Sequence, residues 1–325
     1  MSTTALGEEP YKGKTLRFIV AFSPGGGFDL YTRAIARHIS KHLPGHPTTM
    51  VQNMTGGGGI RSANYMYKKA KPDGLTIGNF IGGLVMQQIL GKKGIQFDGR
   101  KFKWIGVPVV DHLVCALTKE SGIKNIKDWL ASKKPVKVGG IPGSAPSNMP
   151  RVLRAALGLP TKVIDGYRGT AKIRLAAEAG EIDGGCFSWQ SVKVTWRKML
   201  ESGGVRIVLQ ASAKKHPGLM DVDNAIDYAK SSKARELIKY GIHDPAVITR
   251  FYSLPPGTPE KRVKLLRRAF MATMKDPEFL NETSKAGLEI DPLSGERVEE
   301  IVAGLFKLDP AILARLKEIL VPRGK

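Results

Sequence analysis

The chain is poor in cysteine, in acidic residues and in long apolar segments. Its 325 residues include 2 cysteines, and 29 acidic residues stand against 51 Lys and Arg, which gives a formal net charge of +22. Two cysteines do not make the disulfide framework of a small secreted domain. No apolar run reaches the ~18 residues of a membrane-spanning helix. We therefore expect a globular protein, and its length favours two domains.

Two features of the chain bear on the compartment in which it works. For Cys115 and Cys186 we expect two buried, reduced thiols, and a single disulfide is the alternative. The start of the chain, MSTTALGEEPYKGK, lacks the apolar stretch of a signal peptide. Such a start fits a cytosolic chain, or a mature chain whose leader was removed or replaced.

The positive net charge favours an anionic partner. A strongly basic surface attracts anions, which include nucleic acid, lipid head groups and acidic small molecules. Lys and Arg are spread over the whole chain, with no basic tail, no basic run with interleaved aromatics and no zinc knuckle. We therefore expect no nucleic acid partner, and an acidic small molecule is favoured.

Strand-like and helix-like segments alternate from the start of the chain. Apolar, strand-like runs occupy residues 17–22, 48–53 and 75–80. Apolar residues recur every three or four positions between the first two runs and again between the second and third, which is helical spacing. The same alternation returns in the middle third. This order predicts an α/β fold with parallel strands, whose loops converge at the carboxyl ends of the strands.

Glycine- or serine-rich loops stand between the strand-like and helix-like runs. They are Gly25–Asp29, Thr55–Ser62, Gly143–Ser147, Gly169–Thr170 and Ser188. Glycine lets backbone N–H groups approach a ligand, and a helix N-terminus favours a carboxylate or a phosphate. Asp29 is expected to cap the first helix. A plain turn explains any one loop, whereas five in succession predict an anion site.

No nucleotide-binding or catalytic motif accompanies these loops. Gly59 is followed by Ile60 and Arg61 rather than by the Lys-Ser or Lys-Thr of a P-loop, and no G-x-G-x-x-G opens a helix. The motifs G-x-S-x-G, H-E-x-x-H and C-x-x-C are missing as well. We therefore expect binding rather than catalysis, with no catalytic residues and no cofactor.

His38 and His42 have the i, i+4 spacing of a metal-binding pair. They share a helix face with Tyr31 and Ile35 rather than with the neighbouring arginines. Packing at the edge of a core is therefore favoured over a metal site, and we expect no bound metal.

Several ordered segments carry a resemblance to a known family. They are Phe18–Asp29 (FIVAFSPGGGFD), Asn53 with Gly56–Gly59, Pro72–Gly74, Gly143–Ser147, Gly166–Thr170, Gly180–Asp183 and Leu254–Pro259. The sequence resembles the solute-binding components of tripartite tricarboxylate transporters, also called Bug proteins. The match covers nearly the whole chain from about Tyr11 onward, and it is the order of the segments that is specific.

The resemblance implies a two-domain α/β periplasmic binding protein of the flytrap type, with crossing strand hinges. Domain I is expected at 11–106 plus 248–325, and an inserted domain II at 107–247. Such a protein is a periplasmic monomer that closes on a small carboxylate and delivers it to membrane transporter components. The rival interpretations are a sensor's ligand-binding subunit and an α/β enzyme that acts on an anionic substrate.

The resemblance also implies which residues bind the ligand. In domain I they are Ser23, Gly26, Gly27, Phe28, Asp29, Thr55, Gly57, Gly58, Gly59 and Arg61. In domain II they are Ser144, Ser147, Tyr167, Gly169, Thr170, Asp183 and Trp189. The sequence departs from the family at Phe28 and near Arg61, where small residues are usual. Two alternatives are open for each side chain: it contacts the ligand, or it points away into solvent or the core.

The aromatic residues among these positions suggest a ligand type. If Phe28, Tyr167 and Trp189 all reach the ligand, they form an apolar sleeve between two carboxylate-binding ends. Such a sleeve favours an aromatic acid or an aliphatic dicarboxylate over hydroxyl-rich citrate. The alternative is that the three rings pack into the domain cores.

Overall fold

The structure is a computed structural model that describes residues 10–167 and 169–321. The start of the chain, to which the expectation about a leader applies, lies outside the described residues. So does Arg168, within the Gly166–Thr170 segment of the resemblance.

The described residues form alternating strands and helices. The strands are β1 (Thr15–Val20), β2 (Thr48–Asn53), β3 (Thr76–Asn79), β4 (Lys103–Val107), β5 (Leu113–Thr118), β6 (Val136–Gly140), β7 (Thr161–Asp165), β8 (Gly184–Ser188), β9 (Val205–Ala211), β10 (Tyr252–Leu254) and β11 (Leu293–Ser294). The helices are α1 (Gly27–Ile39), α2 (Ile60–Lys68), α3 (Gly83–Ile89), α4 (Ile126–Ala131), α5 (Ala145–Leu157), α6 (Thr170–Glu178), α7 (Trp189–Thr195), α8 (Arg197–Glu201), α9 (Ser232–Ile238), α10 (Asp244–Val247), α11 (Glu260–Thr273), α12 (Pro277–Lys285), α13 (Gly295–Leu305) and α14 (Pro310–Leu320).

The strands form two separate mixed sheets, with the orders β11-β4-β10-β3-β1-β2 and β7-β6-β8-β5-β9. The chain divides by its contacts into two units. Unit 1 holds the described residues as far as Phe80, Gln96–Val109 and Arg250–Glu299, and unit 2 holds Ile81–Ile95, Val110–Thr249 and the described residues from Glu300 onward. Sequence reasoning placed Ile81–Ile95 and residues 300–325 in domain I. The domain boundaries taken from the sequence stay a prediction.

The core of unit 1 lies between its sheet and helices α1, α11 and α12. Phe18, Ile35, Leu266 and Phe270 are each at most 1% exposed within one cluster. The run at 17–22 is apolar because β1 pairs with β2 on one side and β3 on the other, so the strand is central. Helix α1 turns Ile35 and its apolar neighbours towards this core.

Unit 2 contains a disulfide, so the expectation of two reduced thiols is wrong. Cys115 on β5 and Cys186 on β8 are directly paired residues of two antiparallel strands, and their sulfur atoms are bonded. Both residues are fully buried. The local sequence gave no sign of this pairing, because only the strand register brings the two positions together. Bonded cysteines are typical of proteins in an oxidising compartment.

The helices of the described residues include none that is long and apolar enough to cross a membrane.

Candidate functional site

The first two predicted loops start at one edge of the unit 1 sheet. Because β1 is parallel to β2 and β3, the carboxyl ends of these strands meet there. Backbone hydrogen bonds extend the pairing: Ala21 N donates to Asn79 O (3.0 Å), and Met54 N donates to Val20 O (2.7 Å). The loops that follow β1 and β2 therefore leave the sheet side by side.

Asp29 connects the first of these loops to the end of β2. Its Oδ2 accepts hydrogen bonds from Gly25 N and Arg33 Nε, each at 2.9 Å. Its Oδ1 accepts one from Asn53 Nδ2, also at 2.9 Å. The same Asn53 amide donates to Phe22 O (2.8 Å). Since Asp29 is only 1% exposed, its carboxylate holds the loop after β1 against the end of β2.

The expected capping role of Asp29 is wrong. Helix α1 begins at Gly27 after the N-cap residue Gly26, and no side chain caps this end. Asp29 lies in the first turn and bonds back to the loop. Burial acts to raise the pKa of Asp29, but the hydrogen bonds from its three donors and the charge of Arg33 outweigh burial and lower that pKa. The carboxylate is therefore ionised at neutral pH.

The second predicted loop contains four consecutive glycines with positive φ. From Gly56 to Gly59 the φ values are 138°, 58°, 63° and 97°, which residues with a Cβ rarely adopt. Thr55 and the first three of these glycines are exposed, whereas Gly59 is buried. Ser62 Oγ donates to Gly59 O (2.9 Å) and attaches the loop to α2. The backbone of this loop is thus exposed and conformationally specific.

Phe28 and Arg61, the two departures from the family pattern, contact their own loops. Phe28 is partly buried, and its ring centroid lies 4.5 Å from that of Phe22. Arg61 is exposed, and its Nη1 donates to Thr55 O (3.4 Å). Ligand contact by either side chain stays a prediction. Ser23 is exposed beside the first loop.

Arg250 belongs with the first loop, although sequence reasoning missed it. It is 3% exposed and precedes β10, at the edge where β1 and β3 end. Its guanidinium carbon lies 4.8 Å from the centroid of Phe28 and 5.5 Å from that of Tyr31. A Cβ on Gly27 would lie 2.9 Å from Arg250 Nη1, so glycine lets the cation approach the start of α1. One basic residue among 51 carries no local signal.

The remaining loops lie at one edge of the unit 2 sheet. Strand β6 is parallel to β7 and β8, so the carboxyl ends of the three strands meet. Strand β5 begins and β9 ends at the same edge, since Leu113 pairs with both Ser188 and Ala211. Predicted residues from several loops are therefore brought together here.

Two of the predicted serines are engaged with their own neighbours. Ser144 is the N-cap residue of α5, but its Oγ donates to Ile141 O (2.8 Å) instead of capping the helix. Ser147 is fully buried and its Oγ donates to Asp165, which also pairs with Arg151. This network ties the start of α5 to the end of β7.

The next predicted residues open α6 and α7. Gly169 is the N-cap residue of α6, which starts at Thr170, and Trp189 starts α7. The rings of Tyr167 and Trp189 are partly buried against the unit 2 core. A role for these rings in an apolar sleeve stays a prediction.

Asp183 is not brought together with the other predicted residues. It precedes β8, its Oδ2 accepts a hydrogen bond from Lys137 N (2.7 Å), and its carbonyl accepts one from Thr118 N (2.8 Å). The loops lie at the other end of β8, a strand length of about 16 Å away. Asp183 therefore ties strands together at the opposite edge of the sheet.

Sequence reasoning also missed a polar group at the unit 2 edge. Ser188 Oγ donates to Asp111 Oδ1 (2.7 Å), and both residues are buried. Trp189 N donates to His112 O (2.8 Å), and the ring centroids of His112 and His216 lie 4.9 Å apart. Asp111, His112 and His216 do not belong to glycine-rich loops, so no motif marked them.

His38 and His42 pair with acidic residues of α12 and of its N-cap. His38 Nε2 lies 2.8 Å from Glu282 Oε2, and His42 Nε2 lies 2.9 Å from Asp276 Oδ2. His38 also packs edge-on against Phe279, with ring centroids 5.8 Å apart. The pair therefore connects α1 to α12.

One group in the described part of the chain has the spacing of a metal site. The ligand atoms of His38, Asp276 and Glu278 lie within 4.8 Å of one another. Lys41 Nζ lies 2.8 Å from Asp276 Oδ2 and 2.7 Å from Glu278 Oε2. This ammonium already balances both carboxylates, so an ion-pair network between two helices accounts for the group.

A family model matches most of the chain, beginning just after the first loop. The model described as "Tripartite tricarboxylate transporter family receptor" matches residues 31–313. The chain belongs to this family. The resemblance drawn from the sequence segments is thus confirmed.

Two curated relatives match most of the length of this chain. A UPF0065 protein in the gbd 5′ region of Cupriavidus necator is 24% identical and covers 95% of this chain and 89% of its own. A UPF0065 protein from Pseudomonas sp. strain P51 is 23% identical and covers 94% of this chain and 86% of its own.

Solved structures share the fold of this chain. The periplasmic binding protein BugD has a TM-score of 0.72 at 22% identity, covering 95% of this chain and 98% of its own. MatC from Rhodopseudomonas palustris, with bound malate, has a TM-score of 0.68 at 20% identity, covering 94% and 99%. An R. palustris protein with adipate has a TM-score of 0.72 at 19% identity, covering 94% and 98%. The expected α/β fold of a two-domain periplasmic binding protein is confirmed.

Proposed function

We propose that this receptor is a periplasmic protein that captures a small organic carboxylate and delivers it to a tripartite tricarboxylate-type membrane transporter. The observation that carries the proposal is the buried Asp29 carboxylate, which orders an exposed glycine backbone at the carboxyl ends of parallel strands. Such an edge is where open α/β sheets bind ligands. Family membership supports the receptor role.

In unit 1 the ligand binds mainly through backbone groups. Asp29 is an acceptor already occupied by three donors, so it positions the loop and does not itself bind an anion. The N-terminus of α1 carries a partial positive charge, and the Arg250 guanidinium lies beside it at Gly27. One carboxylate of the ligand binds to the backbone at Gly26, at Gly27 and in the glycine loop after β2.

In unit 2 the ligand contacts the loops at the starts of α5, α6 and α7. Ser144, Gly169, Thr170 and Trp189 provide helix starts at one edge. We propose two domains, the first at 11–106 plus 248–325 and the second at 107–247. We also propose that the protein is a monomer. The ligand stabilises whichever arrangement lets both domains bind it.

The disulfide supports a periplasmic location. A buried Cys115–Cys186 bond is expected to persist outside the reducing cytosol. The comparison structures described as periplasmic support the same placement.

The class of function is tested by a thermal-shift screen against carboxylates, amino acids and nucleotides. A carboxylate ligand at about 100 times its Kd should stabilise the protein by about 2.7 kcal/mol. Mass spectrometry should recover the acid chemically unchanged. Conversion of the acid, or stabilisation by a nucleotide alone, would refute the proposal.

A glycine variant tests the location of the site. Gly26 has φ −83° and ψ 165°, and a Cβ there would meet only Ser23 O at 3.6 Å. Gly26→Val should therefore fold, while its branched side chain crowds the backbone site and weakens binding at least about tenfold, or about 1.4 kcal/mol. Gly304→Val is the control, because that helix position is exposed and open. Equal affinity of both variants would remove this loop from the site.

A further inference from the structure

Lys92 is a partly buried lysine that lies beside a predicted ligand loop of unit 2. It follows α3, and its backbone N–H donates to Gln87 O (2.9 Å). A Cβ on Gly143 would lie 2.8 Å from Lys92 Nζ and 2.6 Å from Gln87 Nε2. Gly143 has φ +76° and stands just before Ser144, the N-cap residue of α5. Glycine at this position thus lets the ammonium reach the start of α5.

The charge of Lys92 is unfavourable where it stands. Among the described residues no carboxylate lies within ion-pair distance of it. Helix α5 has 13 residues and no side-chain cap, and its N-terminus carries a partial positive charge. An ammonium beside that end meets charge of the same sign, and burial lowers the pKa of the Lys92 ammonium. A bound anion would relieve both costs.

Gln87 is a second sign that the group is incomplete. It is 7% exposed, and its Nε2 donates to Gly143 O. Its Oε1 is buried and has no hydrogen-bond donor among the described residues. A buried acceptor without a donor costs free energy. A water that accompanies a bound carboxylate would supply the missing donor.

We infer that Lys92, with the start of α5 and Gln87, binds the second carboxylate of a dicarboxylate ligand. The inference rests on the proposed carboxylate-binding function and adds to it the residue that selects diacids over monoacids. Lys92 lay outside every loop selected from the sequence, because the residues between α3 and β4 carry no glycine-loop motif of that kind.

The test compares adipate with hexanoate, which has one carboxylate fewer on the same carbon chain. The variants are Lys92→Met, Lys92→Arg and the control Lys93→Met at the exposed neighbouring position. Calorimetry and thermal shift measure binding, and thermal unfolding without ligand measures stability. Lys92→Met should lower the affinity for adipate at least tenfold and leave the affinity for hexanoate within twofold of wild type. Lys92→Arg should recover part of the adipate affinity. Lys93→Met should bind both acids as wild type does.

Stability without ligand gives a second readout. Lys92→Met removes an uncompensated charge, so its melting temperature without ligand should equal or exceed that of wild type. Equal adipate affinity in Lys92→Met and wild type would overturn the inference while leaving the receptor function intact. An equal loss of affinity for adipate and hexanoate in Lys92→Met would overturn it too. So would a wild type that binds monoacids alone. A wild type that responds to no acid would instead refute the proposed function.

Discussion

At the scale of single residues, buried polar side chains set the geometry of the exposed loops. Asp29 accepts hydrogen bonds from the loop, from α1 and from β2, and it is almost fully buried from solvent. Ser147 with Asp165, and Ser188 with Asp111, act in the same way in unit 2. Backbone groups that bind a ligand need such support, because a flexible glycine loop otherwise pays its ordering entropy on binding.

Replacement of Asp29 tests this support. Asp29→Asn puts a donor where an acceptor is required, so it should destabilise the protein by about 1–3 kcal/mol in urea unfolding. Because the loop loses its anchor, affinity for the carboxylate that stabilises the wild type should also fall, at least fivefold at a temperature where the variant is fully folded. A loss of stability with unchanged affinity would show that Asp29 supports the fold alone.

At the scale of elements, ion pairs at the N-terminus of α12 contribute to its packing against the segment of α1. Asp276 is the N-cap residue of α12 and accepts from Glu278 N (2.9 Å) and Phe279 N (3.2 Å). It also contacts Lys41 and His42, which follow α1. Burial acts to raise the pKa of Asp276, but the bonds from Lys41, the two backbone N–H groups and His42 outweigh it and lower the pKa strongly.

The lowered pKa gives a stability that depends on pH. A carboxyl group whose folded pKa is below its unfolded pKa of about 3.9 stabilises the fold above that pH and loses the effect as pH falls through the folded pKa. Asp276→Ala should cost about 2–3 kcal/mol at pH 7, and its difference from wild type should shrink in acid below about pH 4.

The matched control for Asp276 is Asp309, which caps α14 at Ala311 and Ile312. Asp309→Ala should cost about 1 kcal/mol, since only a cap is lost. Unfolding in urea at a series of pH values measures both variants. Equal costs for the two substitutions would show that the contacts with Lys41 and His42 add nothing to stability.

At the scale of the whole molecule, the net charge of +22 and the glycine loops both support the proposed anionic ligand. The predicted apolar sleeve around the body of the ligand involves Phe28 of unit 1 and Tyr167 and Trp189 of unit 2. All three rings are partly buried. Rings in this position can cover a methylene chain or an aromatic ring without giving up their contacts with the core.

A competition assay tests the character of the ligand. We predict that adipate or terephthalate displaces citrate, because each methylene buried contributes about 0.8 kcal/mol and citrate's hydroxyl would lose its hydration. The displaced fraction is measured by equilibrium binding with a labelled acid. Tight binding of citrate with no response to the apolar diacids would contradict the sleeve and leave the three rings as core residues.

The sequence by itself determined the elements that local pattern encodes. The strand-like run at 48–53 coincides with β2, and the run at 17–22 overlaps β1, which ends at Val20. Glycines after strands marked the loops, since positive φ and close approach are local requirements. The alternation of these elements indicated the α/β class, and their ordered motifs indicated the family.

Only the tertiary structure decided what depends on distant partners. The Cys115–Cys186 bond follows from strand register, and the place of Asp183 follows from which end of β8 it occupies. Arg250 and Lys92 do not differ in the sequence from other basic residues, and only the fold brings them against Gly27 and Gly143. Strand pairing and burial bring together residues far apart in the chain, whereas a local pattern reports only on the backbone around it.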